Sequence, residues 1–355
     1  MRRFLGFIIV MTLIITCFMA CSQAKDREPY DLAILEQDQI FTFRETEKGL
    51  EQVERIKRPH AREFWPESIE SSDKRFIGRT IEGNQGLDIF MLAINKETLA
   101  EKMKPAKGNN VYTGTYDGEY YYAAVVFTDR IEFYKYNHEL EVVHQKVIPN
   151  KETINCSNQF VWIGNQLYLL VSEVVTDTQE EKTEIWQMDK AFNLLKRFDL
   201  DERGACLRMA TDGKQLYVTK IFEGKDENGL PISGNKLISF NVESGEKEVL
   251  EIPEKYPNRI FWNPQSQKLL IENDFDHNQG NYSWTLVNPQ TGEVQLIEVE
   301  SPNSDMIPPF FTRSEKHYYL LYQDHLKVFS FAGEELKDIS LKEFGIKEAS
   351  ALLLK

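Results

Sequence analysis

Leu237-Ile238-Ser239-Phe240-Asn241-Val242-Glu243-Ser244-Gly245-Glu246 and Trp284-Thr285-Leu286-Val287-Asn288-Pro289-Gln290-Thr291-Gly292-Glu293 are one phrase written twice. Each opens with an apolar run rich in β-branched and aromatic side chains, which suits a strand, and closes on a polar segment with Gly-Glu, which suits a tight turn. Working outward, the opening run recurs as Ile40-Phe41-Thr42-Phe43, Ile89-Phe90-Met91-Leu92, Ile131-Glu132-Phe133-Tyr134, Ile185-Trp186-Gln187-Met188 and Leu326-Lys327-Val328-Phe329. The seven copies stand roughly 40 to 55 residues apart, the spacing of four-stranded propeller blades. Helical periodicity is nearly absent.

The flanking runs repeat as well. Tyr120-Tyr121-Tyr122, Leu167-Tyr168-Leu169, Leu216-Tyr217-Val218, Leu269-Leu270-Ile271 and Tyr318-Tyr319-Leu320 lead into the recurring run, and Gly245-Glu246, Gly292-Glu293 and Gly333-Glu334 mark the turn after it. Four strands per blade fit residues 60–105, 107–149, 153–200, 205–252, 258–300 and 308–341. Residues 30–56 hold three more strands, and Ala349 to Leu354 holds one. Three plus one makes a seventh blade, with the last strand innermost, so the chain ends seal the ring and leave no unpaired edge. The expected fold is therefore all-β, a β-propeller of seven four-stranded blades spanning residues 30–355. A six-bladed ring with an N-terminal arm is the alternative. The two Asn-to-Gly-Glu phrases resemble the Asp-x-x-Thr-Gly-Glu turn of quinoprotein-like surface propellers. That resemblance implies the fold and carries no quinone-binding residue.

At the other end of the chain, Arg2 and Arg3 precede an apolar run from Phe4 to Ala20. A basic start, an apolar stretch and a small residue at the cut read as a secretory signal. The run is near the lower length limit for a membrane span, which is the competing reading. Phe18-Met19-Ala20-Cys21 resembles the lipobox of bacterial lipoproteins, with Phe18 where leucine is more usual. The resemblance implies that residues 1–20 are removed, that Cys21 carries a diacylglycerol with fatty chains such as palmitate, and that residues 21–29 form a tether. Localisation at a bacterial cell membrane or envelope, on the extracytoplasmic side, follows from it. Two chains satisfy the requirement for stable anchoring, which one does not.

Loss of the signal removes Arg2 and Arg3, leaving 40 basic against 56 acidic side chains. That balance disfavours nucleic acid and bare anionic lipid, both of which need basic surface. It suits a soluble body, and it equally suits a cationic partner. Of four cysteines, Cys17 leaves with the signal and Cys21 takes the lipid. Cys156 and Cys206 occupy matching places in consecutive blades. They read as a disulfide between neighbouring inner strands or as two buried thiols, in a compartment where disulfides persist.

Three consecutive blades carry long connections between second and third strands: Ser172 to Thr183, Glu223 to Asn235 and Asn273 to Tyr282. Length variation on one side of a rigid scaffold is where binding concentrates. These connections hold Glu173, Asp177, Glu180, Glu181, Glu223, Asp226, Glu227, Asp274 and Asp276. The expectation is a partner-binding acidic rim; three solvated hairpin tips are the plainer alternative. Asp274-x-Asp276-x-Asn278-x-Gly280 has oxygen donors at alternate positions, as calcium loops do, but its glycine and twelfth residue depart from the EF-hand pattern. Asp226-Glu227-Asn228-Gly229 reads as a similar loop or as a turn. No cofactor is otherwise expected.

No Gly-x-Ser-x-Gly elbow, phosphate-cradling glycine loop or metal-spaced histidine group is present in the sequence. Trp65, Trp162 and Trp262 fall in first strands and Trp186 and Trp284 in third strands, where blade packing explains them; a carbohydrate-stacking platform is the alternative. The leading expectation is a lipid-anchored, non-enzymatic binding or scaffold protein whose partner is another envelope protein. Outer-membrane assembly lipoproteins share the plan of lipid anchor plus propeller, which is an analogy of fold only. An envelope hydrolase or lyase at the channel mouth, and a sugar- or peptide-sensing module, are the alternatives.

Overall fold

The computed structural model describes residues 27–59, 63–64, 70–71, 75–81, 89–107, 111–127, 129–149, 153–174, 181–274, 282–300 and 310–355. Side chains are undescribed at 63–64, 70–71, 75–81, 89, 111–113, 153–158, 173–174, 181 and 201–202. The chain forms seven antiparallel sheets, numbered here as blades. Blade 1 begins with β1 (Leu32–Leu35), β2 (Gln39–Thr46) and β3 (Gly49–Lys57). Blade 2 holds β4 (Glu63–Phe64), β5 (Glu70–Ser71), β6 (Arg75–Ile81), β7 (Ile89–Asn95) and β8 (Glu101–Pro105). There the inner position is shared by two short strands, β4 and β5, each paired with β6.

Blade 3 is β9 (Val111–Tyr116), β10 (Tyr121–Val126), β11 (Arg130–Tyr136) and β12 (Val142–Pro149). Blade 4 is β13 (Thr153–Ile163), β14 (Gln166–Val174), β15 (Glu181–Met188) and β16 (Leu194–Arg203). Blade 5 is β17 (Cys206–Thr211), β18 (Gln215–Lys225), β19 (Pro231–Asn241) and β20 (Lys247–Glu251). Blade 6 is β21 (Pro257–Asn263), β22 (Lys268–Asn273), β23 (Tyr282–Asn288) and β24 (Glu293–Val299). Blade 7 is β25 (Phe310–Arg313), β26 (Tyr318–Leu321), β27 (His325–Phe329) and β28 (Glu335–Ser340). A short 3-10 helix, Leu341–Phe344, leads to β29 (Ala351–Leu354).

The seven recurring apolar runs are the third strands β2, β7, β11, β15, β19, β23 and β27. Blade 1 has the order β29-β1-β2-β3, so the C-terminal strand takes the inner position beside the N-terminal strands. Leu32 faces Leu354 and Leu35 faces Ala351 across this seam. The Glu36 carboxylate accepts the backbone N–H groups of Lys347 (2.6 Å) and Glu348 (3.0 Å), and Ser350 N–H bonds the Leu35 carbonyl. The seven-bladed alternative is the one observed.

Packing explains the sequence pattern. Each blade is covered on both faces by its neighbours, so its central strands are apolar on both sides and read as continuous runs. Leu32–Leu35 and Tyr318–Leu321 are buried at every position. The six apolar clusters straddle blade boundaries. Trp186 fills the cluster between blades 3 and 4, and Trp284 the one between blades 6 and 7. The buried Arg58–Glu101 ion pair joins blades 1 and 2, and Arg58 Nη1 also donates to the carbonyls of Glu36 and Gln37.

Turns between third and fourth strands lie on what we term the lower face. Those of blades 2 to 7 share one device. Asn241 Oδ1 accepts Glu243 and Ser244 N–H, and Gly245 sits at φ 77°; Asn288 and Gly292 (φ 73°) repeat it. Asn95 with Leu99, Asn137 with Leu140, Asp189 with Phe192 and Ser330 with Gly333 repeat it again.

Candidate functional site: the upper rim of blades 5 and 6

The upper face carries the turns between second and third strands and the connections between blades. In blades 4 and 5 the described parts of the long connections are largely extra strand rather than loop; residues 175–180 of the first and 275–281 of the third, between Asn273 and Tyr282, lie outside the described residues. In blade 4 the ladder continues through Ser172–Thr183, Glu173–Lys182 and Val174–Glu181. In blade 5 it continues through Phe222–Ser233, Gly224–Ile232 and Lys225–Pro231, so β18 and β19 are eleven residues each and only Asp226 to Leu230 remain as turn. Backbone pairing across each hairpin satisfies groups that an irregular loop would leave to water.

The β18–β19 hairpin is bent at its base. Register shifts fall at Lys220/Phe222 and Phe222/Gly224. The backbone released there is taken by the incoming connection: Ala205 N–H bonds the Phe222 carbonyl, and Ile221 N–H bonds the Ala205 carbonyl. Glycines permit this approach. A Cβ at Gly204 would lie 2.2 Å from the Phe222 carbonyl oxygen, and one at Gly234 would lie 2.3 Å from that of Lys220. Gly234 also accepts Tyr256 N–H, whose carbonyl accepts Asp274 N–H, so the hairpin base is tied to blade 6.

Charges at this base are paired. Glu223 meets the ammonium of Lys220 at 2.8 Å and of Lys236 at 3.0 Å. Burial alone would push its carboxyl up, but the two lysines more than offset this and hold it below the usual carboxylate range. In blade 6 the Arg259 guanidinium binds Glu272 through both Nε and Nη2. Tyr282 hydroxyl donates to the same carboxylate, and Trp284 Nε1 donates to that hydroxyl at 3.1 Å. Asn273 Nδ2 donates to Ser283 (2.9 Å) and Thr285 (3.3 Å); Asn258 Nδ2 donates to Asp274 (2.8 Å). The side-chain carbonyls of Asn258 and Asn273 are buried and accept no hydrogen bond among the described residues. They are acceptors for a water or for a ligand N–H or O–H.

The expected acidic rim is placed as follows. Glu223 is neutralised by its lysines. Asp226 Oδ1 accepts Asn228 and Leu230 N–H (both 2.8 Å), and Gly229 sits at φ 80°; this segment is a turn. Glu227 is exposed at the tip. Asp274 is bound by Asn258. Glu173 and Glu181 lie in β14 and β15, but their side chains, with all of Asp177, Glu180 and Asp276, lie outside the described residues. Among the described residues no three His, Cys, Asp or Glu are placed to hold a metal ion. Cys206 is buried at the start of β17; the Cys156 side chain lies outside the described residues, as does Cys21.

Beside Lys225, Asp226, Glu227 and Asn228, the rim also exposes apolar side chains. Leu230, 62% exposed at the hairpin tip, is the most exposed large hydrophobic residue among those described, and Ile232 beside it is 45% exposed, less than Leu195, Val143, Leu336 and Val249 elsewhere. Sequence reasoning passed over Lys220, Lys236, Asn258, Arg259, Glu272 and Asn273. The available signal was a charge interrupting an apolar run, as in Leu216-Tyr217-Val218-Thr219-Lys220-Ile221 and Leu269-Leu270-Ile271-Glu272.

These sheets define the class: a seven-bladed β-propeller whose last strand closes its first blade. Solved propellers agree with it. The chain is similar to dihydro-heme d1 dehydrogenase NirN in complex with DHE, at 12% identity and a TM-score of 0.51 over 92% of this chain and 76% of that one. It is similar to the β-propeller domain of the trilobed protease from Pyrococcus furiosus, described as having an open velcro topology, at 12% identity and 0.50 over 89% and 95%. It also resembles the WD40 domain of Toxoplasma gondii coronin, at 7% identity and 0.50 over 92% and 78%. At such identities the likeness concerns the fold alone. No family model matches the chain, and no curated protein does.

Proposed function

We propose that this protein is a lipid-anchored, extracytoplasmic binding or scaffold protein that engages another envelope protein through the upper rim of blades 5 and 6. The observation that carries the reading is the β18–β19 hairpin, which extends beyond its blade, is braced at its base and exposes Leu230 and Ile232 at its tip. Exposed apolar side chains on a rigid element, rimmed by polar groups, suit a protein surface. The two lysines that hold the Glu223 carboxyl below the usual carboxylate range argue against general-acid catalysis at that group, since a general acid needs a raised pKa. The anchor rests on the resemblance of Phe18-Met19-Ala20-Cys21 to a lipobox. Among the described residues no helix is long and apolar enough to cross a membrane.

The test is a photo-crosslinking residue placed at position 230 or, as a control, at position 316 on the lower face, in intact cells. A discrete protein adduct from position 230 alone, lost on combining position-230 crosslinking with Ile232→Asp, is expected. Equal adducts from both positions, or none from either, would reject the reading. Leu230→Asp and Ile232→Asp together should leave the melting temperature within about 2 °C, because exposed substitutions shift stability by only about 0.5 kcal/mol.

A further inference from the structure

The chain enters the propeller at one particular place. β1 is the second strand of its blade, so residues 27–31 lie on the lower face. They are fixed there. Arg27 Nη1 meets Glu54 at 2.9 Å, and Arg27 Nε donates to the Thr98 carbonyl at 2.7 Å. Tyr30 hydroxyl donates to the Lys96 carbonyl, and the Lys355 ammonium lies 4.8 Å from the Tyr30 ring centroid. Arg44 meets Glu28 and donates to the Pro29 carbonyl, both at 3.2 Å, and Asp31 accepts Glu45 N–H. The described residues of the chain therefore begin at the lower perimeter between blades 1 and 2.

Cys21 precedes Arg27 by six residues. A fully extended chain covers at most 3.3–3.6 Å per residue, so the thiol lies within about 20 Å of Arg27. The hairpin tip is much further. β18 alone runs eleven residues from the lower face to the upper, on the order of 35 Å at strand rise. Blade 5 is also three places round the seven-membered ring from both blade 1 and blade 2. The tip is thus remote from the anchor in both height and azimuth.

We infer that the lower face of the propeller near blades 1 and 2 is apposed to the lipid headgroups, and that the β18–β19 hairpin is presented away from the bilayer. This rests on the lipid-anchor reading above. The tether sets the orientation, not charge: the exposed lower face mixes Glu28, Glu47 and Glu97 with Lys48 and Lys316. Its consequence is that the partner engaged by Leu230 and Ile232 approaches from the side opposite the anchoring membrane.

The measurement uses the full chain, purified from membranes and reconstituted in phosphatidylcholine vesicles containing an acceptor-labelled lipid. Donor dyes are attached at Lys48→Cys on the lower face or Glu227→Cys at the hairpin tip, with the labelling of the parent chain subtracted. Energy transfer from position 48 should exceed that from position 227 severalfold, and Cys21→Ala should abolish vesicle association. Association with equal or reversed transfer would overturn the orientation while leaving the anchor intact. Failure to associate, with an unmodified Cys21 by mass spectrometry, would overturn both.

Discussion

Leu99 holds the left-handed backbone region at φ 56°, where Gly245 and Gly292 stand in other blades, and Leu140 and Phe192 hold it at 56° and 58°, where Gly333 stands in blade 7. A side chain there is strained by roughly 1–2 kcal/mol. All three are buried, Phe192 fully, so apolar burial offsets the strain. The same turn thus takes two sequence forms, and only the glycine form announces itself; Gly245-Glu246 and Gly292-Glu293 were legible, whereas Asn95, Asn137 and Asp189 were not. Gly245→Ala should cost about 1 kcal/mol in urea unfolding, because its site has space for a methyl group but not the backbone angle. Phe192→Gly should cost about 3 kcal/mol despite relieving the angle, because it empties a packed site. Glu223 makes a pH-dependent contribution of definite sign. Its carboxyl titrates lower in the folded chain than the unfolded value of 4.5, so its stabilisation is present above that pH and is lost as pH falls through the folded pKa. The stability difference between the parent chain and Glu223→Gln, followed by denaturant midpoint, should be constant above about pH 6 and shrink below pH 4.5.

Among the elements, the β18–β19 hairpin decides most. Its bend depends on Gly234, since any Cβ there meets the Lys220 carbonyl oxygen. Gly234→Ala should cost about 2–3 kcal/mol and disturb the Lys236–Glu223 pair, seen as a lower denaturant midpoint and reduced crosslinking from position 230. The hairpin also shows why sequence located the site's neighbourhood but not its content. Polar, irregular composition from Glu223 to Asn235 looks like loop, yet its backbone pairs as strand, because cross-strand hydrogen bonding does not require apolar side chains. The acidic count likewise left out the cations that meet some of these carboxylates. Carboxylates stand out in a linear reading, but Lys220 and Lys236 reach Glu223 only after the hairpin folds, and Arg259 reaches Glu272 only across two strands. Strands themselves were legible because burial on both faces leaves unbroken apolar runs such as Leu269-Leu270-Ile271.

For the whole molecule, the central claim is a ring of seven blades sealed by β29 against β1. The count could be read from seven recurring runs, and the seal from three strands at one end and one at the other. The reinforcements could not be read: the Glu36 carboxylate holding two backbone N–H groups near the C-terminus and the Arg58–Glu101 pair bridging blades 1 and 2 involve residues far apart in sequence. A sealed ring should unfold as one unit, since loss of β29 exposes an inner edge and uncovers the cluster around Leu32 and Leu353. Hydrogen exchange of the intact chain tests this most directly. Amides of Leu32–Leu35 and Ala351–Leu354 should exchange together, as slowly as those of β22 and β23. Exchange of Ala351–Leu354 at the rate of an unstructured tail, while β1 and β2 stay protected, would contradict the account.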